Sequence, residues 1–133
     1  MPARDKGVKA RQRGAEISPE EWGSFLYGLS RRYKGSLIQL ETYDLVTRER
    51  VMSPELALEA IEFDLEDQKN PRINITVHED NKLLKHILFR PSCLVLFLGA
   101  GDREESLHVK TVNTETTLHF RQAKVFPIRR SRT

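Results

Sequence analysis

The segment from Ile17 to Gly35 has apolar residues at the spacing of one amphipathic helix. Positions three and four residues apart lie on the same face of a helix, so a stripe with this spacing is expected to be buried. An aromatic stripe could also form a ligand platform, but the spacing favours a role in the core. The stripe consists of Trp22, Phe25, Leu26, Leu29 and Tyr33.

The same segment carries signals for both ends of the helix. Ser18 is a suitable N-cap, Pro19 suits the first helical position, and Glu21 completes a capping box with Ser18. Gly35 is expected to end the helix, because glycine readily adopts the left-handed conformation that follows the last turn.

After the helix, the apolar positions change to the alternation of β-strands. Residues 72–78 alternate regularly, with Ile73, Ile75 and Val77 directed inwards. The run 93–98 is apolar at every position, which predicts a strand covered on both faces. The candidate strand segments are 36–43, 53–65, 72–78, 83–89, 93–98, 106–112 and 115–121.

Residues 53–65 fit two secondary structures. The Ser53-Pro54 pair could begin a helix. The apolar residues alternate instead, on one face up to Leu58 and on the other from Ile61 onwards. A change of face near Glu59-Ala60 is what a β-bulge produces, and we therefore interpret the segment as a bent strand.

The last two strands are predicted to form a hairpin around Asn113-Thr114. Both possible turns keep the same residues on the inner face. A four-residue turn from Asn113 to Thr116 shifts the pairing by two relative to a two-residue turn. The two-residue turn pairs Leu107 with Phe120, Val109 with Leu118 and His108 with His119.

Together these elements predict an α+β domain. An N-terminal helix would pack on a bent antiparallel sheet of five to six strands. A short, strongly bent sheet tends to close into a small barrel or half-barrel. The element order is analogous to that of Sm-like and SH3-like folds, although a fold does not determine a function.

Charge divides the 133 residues into three regions. Residues 1–16 have a formal charge of +3 and residues 121–133 of +5, which leaves −5 for residues 17–120 out of the total of +3. We therefore expect a basic, mobile tail at 1–16, a single domain at 17–121 and a basic tail at 122–133. The acidic folded part argues against a nucleic-acid-binding surface on the domain itself.

The basic tails are the candidate contacts for nucleic acid or ribosomes. Mobile basic segments bind such polyanions by releasing counterions, without reading sequence. The alternative is that the tails only keep the protein in solution. The candidate residues are Arg11, Arg13, Arg129, Arg130 and Arg132.

The sequence predicts a cytoplasmic protein that does not span a membrane. It contains no apolar run of about 18 residues, as a membrane helix would require. The N-terminal residues lack the apolar region of a secretory signal. Cys93 is the single cysteine, which excludes an intramolecular disulfide, and a small buried apolar role is expected for it.

Histidines are the main candidates for chemistry. There is no phosphate-binding glycine loop, no Cys-x-x-Cys and no nucleophile elbow. His108 and His119, if opposite each other, could supply two ligands to zinc, nickel or copper, with His86 or Glu115 as a third. Two ligands without a third rarely form a site, so we predict no metal, no cofactor and no catalytic residue. His86 is interpreted as a half-buried core residue.

The order of short motifs along the chain resembles one family. The resemblance covers roughly residues 18–121, and it is to a family of small bacterial and archaeal domains of unknown function, number 5335. It implies a shared fold and assigns no activity, cofactor or site. The family usually has an Asp-Gly turn in the last hairpin, where this chain has Asn113-Thr114-Glu115. The motifs are Trp22-x-x-Phe25, Ser30-Arg31-Arg32-Tyr33-x-Gly35, Leu37 to Glu41, Leu56-x-Leu58, Ile61-x-Phe63-Asp64, Ile73-x-Ile75, His86-x-x-x-x-Pro91, Leu107-x-Val109 and Thr116-Thr117-Leu118-x-Phe120.

The function most consistent with these features is a non-enzymatic binding or adaptor domain. It would act through a protein partner or a homodimer, using the apolar strand 93–98 or an exposed sheet edge. One alternative is nucleic-acid or ribosome association through the tails. The other is a small metal-dependent enzyme that uses the histidines. No small-molecule substrate can be identified from the sequence.

Overall fold

The computed structural model describes residues 13–122, which contain one α-helix and nine β-strands. Helix α1 (Trp22–Tyr33) follows a 3₁₀ turn at Pro19–Glu21, and a second 3₁₀ turn lies at Ala100–Asp102. No helix in this part of the chain has the length and apolar character needed to cross a bilayer. The strands are β1 (Arg13–Glu16), β2 (Leu37–Asp44), β3 (Arg50–Met52), β4 (Leu56–Asp64), β5 (Arg72–Glu79), β6 (Lys82–Phe89), β7 (Cys93–Leu98), β8 (Glu104–Lys110) and β9 (Thr114–Gln122).

The strands form one antiparallel sheet that does not close. Hydrogen-bonded neighbours follow the order β1-β7-β8-β9-β2-β4-β5-β6, and β3 pairs with β2 beside this path. The general prediction of a helix with an antiparallel sheet is therefore confirmed. The predicted five to six strands are instead nine within residues 13–122, and the predicted barrel is an open sheet with β1 and β6 at its ends.

Two of the nine strands leave no apolar alternation in the sequence. In β1 residues 14–16 are exposed, and in β3 all three residues are exposed. Strand β1 is held by backbone pairing with β7, and β3 by backbone pairing with β2. Such pairing cannot be predicted from the pattern of apolar residues. Strand β1 also lies inside the segment 1–16, which the charge pattern had assigned to a tail.

Strands β2 and β4 share only a short stretch of pairing. These strands pair only through Leu37–Ile38 with Leu56–Ala57, and the rest of β2 pairs with β9 and β3. Buried residues of β4 and β5 share one core with those of α1, β2 and β7–β9. That core contains Trp22, Leu26, Leu29, Ile38, Leu40, Leu56, Leu58, Ile61, Ile73, Ile75, Val77, Leu94, Leu96, Leu107, Val109 and Leu118.

The predicted capping box is not formed at the start of the helix. Neither Ser18 nor Glu21 makes a side-chain capping bond. The N–H of Glu21 donates instead to the carbonyl oxygen of Ser18 at 2.8 Å, because the first turn is a 3₁₀ turn with i to i+3 bonds. The predicted end is confirmed, since Gly35 follows the helix with φ at +87°.

The aromatic stripe of α1 belongs to the core, as predicted. Leu26 and Leu29 are fully buried, and Trp22 is 4% exposed. The Trp22 ring packs edge-on against Phe63 with centroids 5.2 Å apart, and its indole N–H donates to the carbonyl of Ile17 at 2.8 Å. Burying side chains of this size stabilises the fold by about 2 kcal/mol each.

Strand β4 contains the predicted bulge. Its register with β5 shifts between Leu58 and Ala60, so Glu59 is the extra residue. The bulged Glu59 carboxylate contacts His78 Nε2 at 2.7 Å and Lys34 Nζ at 3.4 Å. The interpretation of residues 53–65 as a bent strand is confirmed for 56–64.

The register predicted for the last hairpin is wrong. Leu107 pairs with Leu118 and Val109 with Thr116, because the turn occupies residues 111–114 rather than 113–114 or 113–116. The faces are unchanged, since the difference in register is two residues. A threonine-rich loop closed by its own side chains replaces the predicted turn.

Strand β7 is an interior strand, flanked by β1 and β8. Its inward residues Leu94 and Leu96 are buried, whereas Cys93 and Val95 on the other face are half-buried. Because both sides of β7 are paired, it cannot accept a strand from a partner, contrary to one of our expectations. Burial, followed by the nearby Glu16 carboxylate, raises the pKa of the Cys93 thiol.

Candidate functional site

Strand β6 is the longest free edge of the described sheet. It pairs with β5 in continuous register from Glu79 with Lys82 to Arg72 with Phe89. No strand within residues 13–122 pairs with its other side. The two strands are joined at Asp80-Asn81, where Asp80 has φ at +57°. Such an edge offers unpaired backbone groups to another chain.

The hydrogen bonds of the ladder identify the residues of β6 that face this edge. The N–H of Arg90 donates to the carbonyl of Pro71 at 2.8 Å, so residues 71 and 90 form a hydrogen-bonded pair. Bonded and non-bonded pairs alternate along an antiparallel ladder. The residues whose N–H and C=O groups point to the free edge are therefore Leu83, Lys85, Ile87 and Phe89.

The side chains of these residues form an exposed apolar row on the outer face. Leu83 and Phe89 are each 58% exposed and Ile87 is 38% exposed. Lys85 lies between them on the same face. Soluble proteins usually protect a long apolar edge, because it is a template for pairing with another strand.

The inner face of β6 belongs partly to the core and partly to a cleft. Leu84 and Leu88 pack against the core. His86 lies opposite Ile75 on this inner face, yet it is exposed because it lines the cleft. The prediction of a half-buried core histidine is therefore wrong, since the sheet is open beside it.

The cleft has a volume of about 580 Å³ and lies between β6 and the β8–β9 hairpin. Its walls combine apolar and polar side chains, and none of its lining residues is an aspartate or glutamate. The apolar residues are Leu40, Leu88 and Val112, together with Ile87 and Phe89, which border the cleft at the free edge of β6. The polar residues are Thr42, His86, Arg90, Thr111, Asn113, Thr114 and Thr116.

The polar wall of the cleft arises where the inward stripe of β2 and β9 changes from leucine to threonine. Leu40 pairs with Leu118, and the next inward pair is Thr42 with Thr116. Thr116 is 3% exposed, and its Oγ1 has no hydrogen-bond partner among the described groups. An unpaired buried hydroxyl typically costs about 1–3 kcal/mol.

The rim of the cleft is a loop held by its own hydrogen bonds. The N–H of Thr111 donates to the carbonyl of Thr114 at 2.9 Å, and the N–H of Thr114 donates to Thr111 Oγ1 at 3.1 Å. A further hydrogen bond of 2.8 Å joins the two hydroxyls. The N–H of Leu45 donates to the carbonyl of Asn113, which ties the loop to the end of β2.

Arg90 brings positive charge to the other side of the cleft. Its φ is +55°, in the left-handed region that residues other than glycine seldom adopt. Its backbone is fixed by the bond to Pro71. Within residues 13–122, no carboxylate forms an ion pair with the Arg90 guanidinium.

The predicted histidine pair does not face across the ladder. His108 lies opposite Thr117 and His119 opposite Ser106, as a consequence of the two-residue shift in register. His119 Nε2 lies 2.9 Å from Glu41 Oε1, and His108 Nε2 lies 3.8 Å from Glu115 Oε1. Each histidine is thus engaged with its own carboxylate.

The outer face around these histidines is a network of charge pairs. Glu41 bridges His119 and Arg50, with its Oε2 3.0 Å from Arg50 Nε. A depression of about 220 Å³ lies beside it, lined in part by His108 and Glu115. His86 lies away from this face, on β6. Within residues 13–122, no three histidine, cysteine or carboxylate side chains converge as a metal site would require.

The candidate residues of the tails lie mostly outside the described range. Arg11, Arg129, Arg130 and Arg132 fall beyond residues 13–122. Arg13 is the first residue of β1, where its backbone pairs with Leu98.

Sequence reasoning did not single out Arg90, Thr116 or the outer row of β6. The signals were present in two places. A threonine occupied an inward position on each of two apolar strands, and the run 82–89 contained apolar residues on both faces. Neither signal reveals a cleft or an edge, because clefts and edges depend on which strands lack a neighbour in the sheet.

Comparison with known proteins gives one match. The profile described as "Family of unknown function (DUF5335)" matches residues 13–129. No curated protein and no solved structure gives a significant match. Because the match covers most of the 133 residues, the chain belongs to this family of unknown function.

Proposed function

We propose that this domain is a non-enzymatic protein-binding module that self-associates by pairing β6 of two copies. The supporting observation is the free edge of β6, eight residues long, with an exposed apolar row. Addition of a strand to such an edge is a common mode of protein recognition, since backbone bonds supply affinity and alternate side chains supply specificity.

One antiparallel register suits two copies of β6 particularly well. Centred on His86, it places Leu83 opposite Phe89 of the second copy and Lys85 opposite Ile87. The residues whose backbone groups face the edge then form the hydrogen-bonded pairs. Apolar contacts between directly opposed side chains contribute roughly 0.2–1 kcal/mol per pair.

The neighbouring registers are less favourable. A shift by two in one direction sets Lys85 opposite Lys85, where like charges oppose pairing. A shift by two in the other direction places Leu83 opposite Pro91, whose nitrogen has no hydrogen to donate. In the register centred on His86, like charges meet only at the ends, where Lys82 lies opposite Arg90.

Sedimentation equilibrium of the full chain tests the proposal. An interface of this size is small, so we expect a dissociation constant of about 1–100 µM. The average mass should rise from 15.4 kDa towards twice that value as the concentration increases. A constant mass of 15.4 kDa up to about 1 mM would refute self-association.

A proline at Lys85 provides a specific disruption. The N–H of Lys85 points to the free edge. Lys85→Pro therefore removes no hydrogen bond to β5, and it blocks pairing with an added strand. This variant should remain folded and monomeric, while Lys85→Ala should still dimerise. If Lys85→Pro does not fold, Leu83→Lys provides a second disruption, with Val46→Lys in an exposed loop as its control. Dimerisation that survives both edge substitutions would place the interface elsewhere.

A further inference from the structure

We infer that the cleft between β6 and the 111–114 loop binds a small organic anion with an apolar body, such as a medium-chain carboxylate. All parts of this site come from one chain, so the inference does not depend on self-association, although Ile87 and Phe89 border the cleft and also belong to the free edge of β6. Its volume, about 580 Å³, is within the range of roughly 300–1,000 Å³ that small-molecule sites usually have.

The charge of the cleft selects an anion. The folded region 17–120 has a formal charge of −5, yet no acidic residue lines this cleft. The charge carrier in the lining is Arg90, which has no ion-pair partner in the described chain. A guanidinium without a carboxylate partner can bind a ligand carboxylate through two parallel hydrogen bonds.

The walls of the cleft require that the anion also has an apolar part. Leu40, Leu88 and Val112 supply aliphatic surface. A small, fully hydrated anion such as inorganic phosphate would leave this surface in contact with water. A ligand with an alkyl chain removes it from water, at roughly 25 cal/mol for each Å² buried.

An unsatisfied hydroxyl gives independent support for a ligand. Thr116 Oγ1 is buried in the wall of the cleft and has no partner among the described groups. The neighbouring hydroxyls of Thr111 and Thr114 bond to each other. Thr116 is therefore the hydroxyl that a ligand oxygen can satisfy, and its desolvation cost would be offset on binding.

Titration of the ¹⁵N-labelled full chain with octanoate tests the inference by NMR. Amide shifts should concentrate at residues 86–90 and 111–116. Matched titration with 1-octanol, which has the same chain without the charge, should show weaker binding by about fivefold or more. Shifts confined to Leu83 and Lys85 on the outer face, or equal affinity for both ligands, would overturn the inference.

The chain offers a matched control for the arginine. Arg48 is also an exposed arginine with positive φ, at +69°, and it does not line the cleft. Arg90→Gln should weaken octanoate binding about fivefold or more, whereas Arg48→Gln should leave it unchanged. Thr116→Val should also weaken binding, while the protein remains folded. Equal affinity in the two arginine variants would show that the cleft does not select the anion.

Discussion

The hydroxyl of Tyr33 donates a hydrogen bond to Glu104 Oε1 at 2.6 Å, which joins the last residue of α1 to the first residue of β8. The second oxygen of Glu104 accepts a bond from Arg32 at 2.7 Å. The Tyr33 ring also stacks on Phe120 with centroids 4.3 Å apart. The end of the helix is thereby connected to both strands of the last hairpin.

The environment of Tyr33 should make its phenol ionise at a higher pH than an ordinary tyrosine. Burial, followed by the hydrogen bond to Glu104, raises the pKa of Tyr33 to about 12. The protonated phenol is thus favoured in the folded state. Its contribution to stability should be complete below the ordinary pKa of about 10 and decline as the pH rises from there to about 12.

Absorbance of tyrosinate in the folded protein measures this effect. One tyrosine should ionise near pH 12, and Tyr33→Phe should remove that step. Glu104→Gln should lower the midpoint only in part, because burial is the larger cause. Complete ionisation of every tyrosine near pH 10, with the fold intact, would contradict the assignment.

Ser30 stabilises the junction between α1 and the bulged strand. The N–H of Ile61, the first buried residue after the bulge, donates to Ser30 Oγ at 2.9 Å. Ser30→Ala leaves this buried N–H unpaired and should reduce the free energy of unfolding by about 1–2 kcal/mol. Ser24→Ala, at an exposed position of the same helix, should change it by less than about 0.5 kcal/mol. Urea denaturation compares the two, and equal effects would argue against the role of Ser30.

Two leucines distinguish the core from the edge. Leu29 is fully buried, whereas Leu83 is 58% exposed. Leu29→Ala should destabilise the protein by about 3 kcal/mol, because it leaves a cavity in the core. Leu83→Ala should cost less than about 0.5 kcal/mol when measured in dilute solution, where the chain is monomeric. A large loss of stability for Leu83→Ala would mean that β6 is not a free edge.

Two buried threonines should respond in opposite ways. Thr116→Val removes a hydroxyl without a described partner and should leave stability unchanged or raise it by up to about 1 kcal/mol. Thr111→Val removes the acceptor of the Thr114 N–H and should lower stability by about 1–2 kcal/mol. Thermal denaturation monitored by circular dichroism separates these outcomes. Destabilisation by Thr116→Val in the unliganded protein would indicate that the hydroxyl has a partner.

Local patterns predicted those features that depend on nearby residues. The stripe of α1 indicated a buried face, and the change of parity near Glu59 indicated the bulge, because both are set by which side chains the core must cover. Such patterns could not predict the register of the last hairpin. A shift by two keeps every side chain on its face, so alternation cannot distinguish the alternatives.

The candidate site depends on the pairing of strands that are distant in the sequence, and it could therefore not be predicted from the sequence. His86 is exposed because β6 has no second neighbour, whereas His108 and His119 are separated by the register of β8 and β9. Strands β1 and β3 pair through the backbone and leave no apolar signal. The free edge emerges only when the order of all nine described strands is known.

Contact between two copies of β6 can be observed by isotope-filtered NOE spectroscopy. A sample that mixes ¹³C-labelled and unlabelled full chain, at a concentration where dimers predominate, reports only contacts between copies. We expect contacts from Leu83 of one copy to Phe89 of the other, and their loss in Lys85→Pro. A dimer whose intermolecular contacts exclude β6, or a chain that shows none at any concentration, would contradict pairing through this edge.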